Sequence, residues 1–166
     1  ASQHLTFLEI KLLGLIDDKQ LKNSFKFAVV RNPWSRAVSI YNHVYPKVFN
    51  GNFEEFCDQW FSDSEIKPFP AQDHNILSFS RLQSEYIVDR HDQIVIDMIL
   101  RFENLSADFR ELCNTLKIDS YKLQHYEKIK NSKHLDYDYR DYYSEKSKKK
   151  IQLYFEEDID RFKYTF

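Results

Sequence analysis

Arg31 and Ser39 are the residues whose types and spacing point most directly to chemistry. They lie in F-K-F-A-V-V-R-N-P-W-S-R-A-V-S-I-Y, residues 25–41. A short apolar run, Phe27 to Val30, stops abruptly at Arg31. Asn32 and Pro33 then open a helix, because Asn caps well and Pro loses nothing in a first turn that has no use for its N–H. Trp34, Ala37, Val38 and Tyr41 recur at i, i+3, i+4 and i+7, so one face of that helix is apolar. A buried strand thus delivers an arginine to the mouth of a helix. A guanidinium and free N–H groups near Pro33 and Trp34 converge there, which suits an anion. Ser39 adds a hydroxyl eight residues after Arg31.

The elements that must position this turn are legible from capping and periodicity. Thr6 and Glu9 form a capping box, which predicts a helix from about Thr6 to Leu15. A strand over Phe25–Val30 and a helix over Pro33–Tyr45 follow, the latter stopped by Pro46. Asn52 and Glu55 cap a helix over Phe53–Phe61. Residues 62–72, with Pro68 and Pro70, read as a loop, and Gln72–Ser80 as a short helical segment. Tyr86–Val88 and Gln93–Val95 read as a hairpin, Ile96–Phe102 as a second buried strand, and Leu105–Leu116 as a helix with Asn104 near its start. The polar, tyrosine-rich stretch Tyr121–Tyr143 is long enough for a functional loop. Ser144–Phe162 reads as one long helix with Ile151, Tyr154, Phe155, Ile159 and Phe162 inward. Strands alternating with helices predict an α/β fold with a small parallel sheet flanked by helices.

Composition bounds the rest. The chain has 166 residues, enough for one domain with its own core, and 42% of them are hydrophobic. Its net charge of −2 argues against nucleic-acid binding driven by bulk charge. The run Lys146, Lys148, Lys149 and Lys150 suits a solvated helix face. Cys57 and Cys113 lack metal-ligand or disulfide-framework spacing and read as buried free thiols in a reducing compartment. The histidines show no ligand spacing, so no metal is expected. No apolar run is long enough to span a membrane.

R-N-P-W-S-R-A-V-S-I-Y, residues 31–41, resembles the 3′-phosphate-binding motif of sulfotransferases that use 3′-phosphoadenosine 5′-phosphosulfate (PAPS). The similarity is to the carbohydrate-type enzymes and their small bacterial relatives, with a P-loop-NTPase-like fold. Gln83–Leu105, ending in R-F-E-N-L, resembles that family's hairpin and following strand. Tyr154–Phe166 resembles its last helix and closing aromatic segment, and Asn131-Ser132-Lys133-His134 its late cofactor-side loop. The resemblance implies that Arg31 and Ser39 hold the 3′-phosphate, with Asn131, Ser132 and Lys133 on the cofactor side. It implies adenosine 3′,5′-bisphosphate as product, a carbohydrate or small-molecule hydroxyl as acceptor, and a cytoplasmic setting or a Golgi lumen behind an anchor. The family's second motif, a P-K-x-[AG]-[GST]-[ST] loop for the 5′-phosphosulfate, precedes the arginine motif and does not occur in these residues. The expectation is a single domain, residues 1–166, lacking the first strand and its loop at the N-terminus. The alternative is a degenerate, non-catalytic nucleotide-binding or interaction module. A kinase-type P-loop is disfavoured, because G-x-x-x-x-G-K-[ST] is absent.

Sulfuryl transfer also needs a base for the acceptor hydroxyl. His4, in Q-H-L-T before the first capping box, is the candidate by resemblance; packing at a helix start is its other reading. Glu103 reads as a buried structural carboxylate paired with Arg101, and Arg36 as facing a carboxylate or solvent. Trp34 reads as core rather than an adenine stacker. Tyr137, Tyr139, Tyr142 and Tyr143 suit either a sugar platform or a wedge against the core.

Overall fold

The computed structural model describes residues 4–44, 49–62, 78–119 and 138–166. Four of the helices begin at capping boxes, so local chemistry sets their starts. In α1 (Phe7–Leu12), Thr6 Oγ1 accepts the Glu9 N–H and Glu9 returns a bond to the Thr6 N–H. Helix α1 ends three residues earlier than the predicted Leu15, because Gly14 takes a left-handed φ of 62°. A helix absent from the sequence reading, α2 (Asp18–Asn23), follows on an Asp17–Gln20 box. Helix α4 (Phe53–Trp60) starts on the expected Asn52–Glu55 box.

Strand β1 (Phe27–Val30) and strand β2 (Met98–Arg101) form a parallel pair, with Phe27 opposite Met98 and Val30 opposite Arg101. Both are shorter than predicted. Strand β1 is covered on one face among the described residues: Val30 is buried, while Phe27 and Val29 remain about half exposed (49% and 47%). The expected hairpin is reduced to a single antiparallel bridge, Val88–Ile94, after a 3₁₀ turn at Ser84–Tyr86. Asp89 Oδ1 accepts the His91 and Gln93 N–H groups, so a side chain replaces part of the ladder.

Helix α3 (Pro33–Val44) leaves the end of β1 and carries Trp34, Ala37, Val38 and Ile40 into the main core. There they meet Phe53, Phe56, Cys57, Trp60 and Phe61, with Ile151 and Phe155 from the last helices. Trp34 is core as expected, and its Nε1 donates to the Lys148 carbonyl at 3.2 Å. Helix α5 (Leu105–Thr115) follows β2 through a 3₁₀ turn at Phe102–Asn104 and buries Leu112 and Cys113. The predicted single last helix is two: α6 (Glu145–Tyr154) and α7 (Glu156–Phe162), broken at Phe155 (φ −107°, ψ 25°). Phe155 is fully buried, and the break lets its ring meet Phe61 at 5.3 Å. Cys57 and Cys113 are free and buried, as expected. Tyr139–Tyr142 forms a 3₁₀ turn, and Tyr143 wedges in by donating its hydroxyl to the Trp34 carbonyl.

Candidate functional site

Arg31 is the first residue beyond β1 and the last but one before α3. Its Nε donates to Ser35 Oγ at 2.9 Å, one helical turn on, and its guanidinium lies 4.4 Å from the centre of the Phe102 ring. No described residue accepts from its two Nη groups. Burial pushes the Arg31 guanidinium down from its ordinary value, Glu103 pulls it back up, and the nearby Arg36 charge adds repulsion. A held, stacked guanidinium whose two Nη groups no described residue takes is suited to a dianion.

The turn beneath it is tied on every side. Asn32 Oδ1 accepts the Trp34 and Ser35 N–H groups at 3.0 and 3.3 Å, and its Nδ2 donates to the Thr165 carbonyl. The first helical N–H groups, which the sequence offered to an anion, are therefore taken by the cap; the guanidinium is the open donor. Glu103 Oε1 accepts the Asn32 N–H at 2.6 Å, and Oε2 accepts the Tyr164 hydroxyl at 3.1 Å. This corrects the sequence reading: Glu103 is exposed and holds the site turn rather than pairing with Arg101. Arg101 instead donates to the Phe162 carbonyl and stacks on Tyr164.

Gln83 is the residue that sequence reasoning missed. Its Oε1 accepts the Arg31 N–H at 2.8 Å, and its Nε2 donates to the Arg31 carbonyl at 2.9 Å. Ser35 was also missed, although its spacing of four from Arg31 is the helical neighbour distance. Ser39 is half-buried on α3, a further turn along, and its hydroxyl has no hydrogen-bond partner among the described residues.

His4 precedes α1, on a different element from Arg31 and Ser39. It lines a cavity of about 220 Å³ with Val30, Arg36, Phe79, Gln83 and Tyr86, and meets Phe79 edge-on at 6.1 Å. Gln83 is shared by this cavity and the Arg31 turn. Arg36 faces the charge of the buried Asp158 carboxylate, as the sequence suggested, while Nη1 donates to the Arg81 carbonyl and the guanidinium lies 5.5 Å from the Phe155 ring centre. A larger open hollow around Ile16–Ser24 lies on α2 and gathers none of these groups. Asn131, Ser132 and Lys133 lie outside the described residues. So do Tyr137 and His134. No cluster of three or more His, Cys, Asp or Glu suited to a metal occurs among the described residues.

A family model described as the sulfotransferase family matches residues 11–165. The chain belongs to the sulfotransferase family. No curated protein and no solved structure matches it. The match takes in β1, the Arg31 turn, Gln83, R-F-E-N-L and α7, so in this sulfotransferase the turn and everything that braces it lie within one family unit. His4 lies ahead of the matched residues. No described helix is long and apolar enough to cross a membrane.

Proposed function

We propose that this sulfotransferase uses PAPS as donor and transfers its sulfuryl group to a hydroxyl, on a carbohydrate by resemblance. The observation that carries the reading is the Arg31 guanidinium, held through Nε by Ser35, stacked on Phe102 and with an Nη fork that no described residue takes. The residues present suit the donor's 3′-phosphate: the fork supplies charge and directed N–H groups, and Ser39 supplies a spare hydroxyl. Bound PAPS supplies the sulfuryl group and a leaving 5′-phosphate. Arg31 and Ser39 hold and orient the nucleotide. His4 would accept the acceptor hydroxyl's proton at an imidazole nitrogen, freeing that oxygen to take the sulfuryl group that bound PAPS would supply. Asn131, Ser132 and Lys133 complete the cofactor side. The buried free thiols suit a reducing cytoplasm.

Thermal melting tests the reading. Adenosine 3′,5′-bisphosphate at about 100-fold over its dissociation constant adds about 2.7 kcal/mol of stability. For a domain of this size that raises the melting temperature by about 5–10 °C. Adenosine lacking both phosphates should give no shift. Equal melting temperatures with and without the bisphosphate overturn the proposal.

A further inference from the structure

We infer that Gln83, held by the buried carboxylate of Asp158, is a positioning residue that aims Arg31 at its anion. The pairing ladder of β1 ends at Val30, so the Arg31 N–H and C=O face the end of the sheet without a strand partner. Buried backbone groups in that position need partners. One side-chain amide meets both needs, accepting from the N–H at 2.8 Å and donating to the carbonyl at 2.9 Å. Two bonds to one residue fix the orientation of its peptide groups, and with them the direction in which its side chain leaves the backbone.

The amide is itself held from far along the chain. The Gln83 N–H donates to Asp158 Oδ2 and the Ser84 N–H to Asp158 Oδ1, both at 2.8 Å. Asp158, in the first turn of α7, is fully buried, and Ser84 is equally buried. A connection therefore runs from α7 through Asp158 and Gln83 to Arg31. Ser35 and Phe102 then hold the outer part of the Arg31 side chain. Productive geometry at such sites is held to about 0.5 Å and 10–20°. A guanidinium at the end of a long flexible stem meets that tolerance only if its root is fixed.

The inference rests on the reading of Arg31 as the 3′-phosphate ligand, and two nucleotides separate the two claims. The probes are adenosine 3′,5′-bisphosphate and adenosine 5′-phosphate, titrated calorimetrically into the full chain. Their affinity ratio isolates the 3′-phosphate. The parent should prefer the bisphosphate by about tenfold or more, as a charge-assisted contact gives. Gln83→Ala should shrink that preference by about fivefold or more while adenosine 5′-phosphate binding changes less than about twofold. Gln83→Asn, one methylene too short to bond both groups, should act in the same direction and covers the case in which the alanine variant fails to fold. Asp158→Asn should do so too, since it leaves one of the two N–H groups facing a donor. Equal weakening of both nucleotides would show a merely structural role and overturn the inference, as would an unchanged ratio in the Gln83 variants. A parent with no preference removes the reading of Arg31 and this inference with it.

Discussion

At the residue scale, Arg31 combines an anchored Nε with a fork that no described residue takes, and that division of labour makes specific predictions. Arg31→Ala should weaken adenosine 3′,5′-bisphosphate binding by about 1.5–3 kcal/mol, the worth of a hydrogen bond to a charged group. Ser39→Ala should cost about 0.5–1.5 kcal/mol, the worth of a neutral one. Arg31→Lys should restore little, because a lysine cannot hold Ser35, stack on Phe102 and present a fork together. Calorimetric titration decides this; parent-like binding by both alanine variants removes the assignment. His4 makes a separate prediction, because its cavity borders the Arg31 turn at Val30 and Gln83 without including Arg31 itself. In the protein competent for transfer, His4→Ala should lower turnover by about 10²–10⁴-fold with donor affinity nearly unchanged. Turnover within a few fold of the parent would leave His4 as the packing partner of Phe79.

At the element scale, the break between α6 and α7 does what a straight helix could not. It seats the Phe155 ring against Phe61 and Tyr154, beneath the Arg36 guanidinium. It also starts α7 where Asp158 can reach residues 83 and 84. Phe155→Ala should therefore destabilise the fold by about 3–5 kcal/mol, as for other fully buried phenylalanines. Urea unfolding measures it, and a loss below about 1 kcal/mol would mean that the site collapses around the cavity. The periodicity of Ser144–Phe162 is helical throughout, so the sequence could not mark this break. No proline or glycine lies there, and the signal is the packing demand of one ring.

At the scale of the whole molecule, α1 is fastened to the site region by one ion pair. Arg81 binds the Glu9 carboxylate through two nitrogens at 2.8 and 2.9 Å. The Arg81 guanidinium, then the Thr6 N–H, hold the Glu9 carboxyl at about 2, well below its ordinary 4.5. The folded-state value is depressed, so the stabilisation is complete above about pH 4.5 and is lost as pH falls toward 2. Both side chains are about one-third exposed (36% and 34%), and solvent screening limits the pair to about 0.5–1 kcal/mol. Glu9→Gln should lower stability by that amount at neutral pH, and the difference should close as the two proteins are unfolded at successively lower pH. A gap of unchanged size between pH 7 and pH 2 would show that the ion pair is not its source.

Residues 31–41 carry both the anion-binding pattern and the start of α3, because strand end, cap and helical stripe are all local chemistry. The capping boxes at Thr6 and Asn52 were legible for the same reason: each closes within four residues. What the sequence could not carry depends on residues brought together from afar. Gln83 reaches Arg31 across 52 positions and Asp158 reaches Gln83 across 75, and no spacing rule connects them. Glu103 reads as an ion-pair partner for its neighbour Arg101, yet folding places it under Asn32, 71 positions away. The first helical N–H groups read as open anion donors, but the geometry of the Asn32 cap consumes them. The sequence by itself determined that an arginine emerges between a strand and a helix. Only the tertiary structure decided that its backbone is bracketed by the Gln83 amide and that no described residue takes its fork, because long-range hydrogen bonds satisfy groups that local structure leaves unpaired.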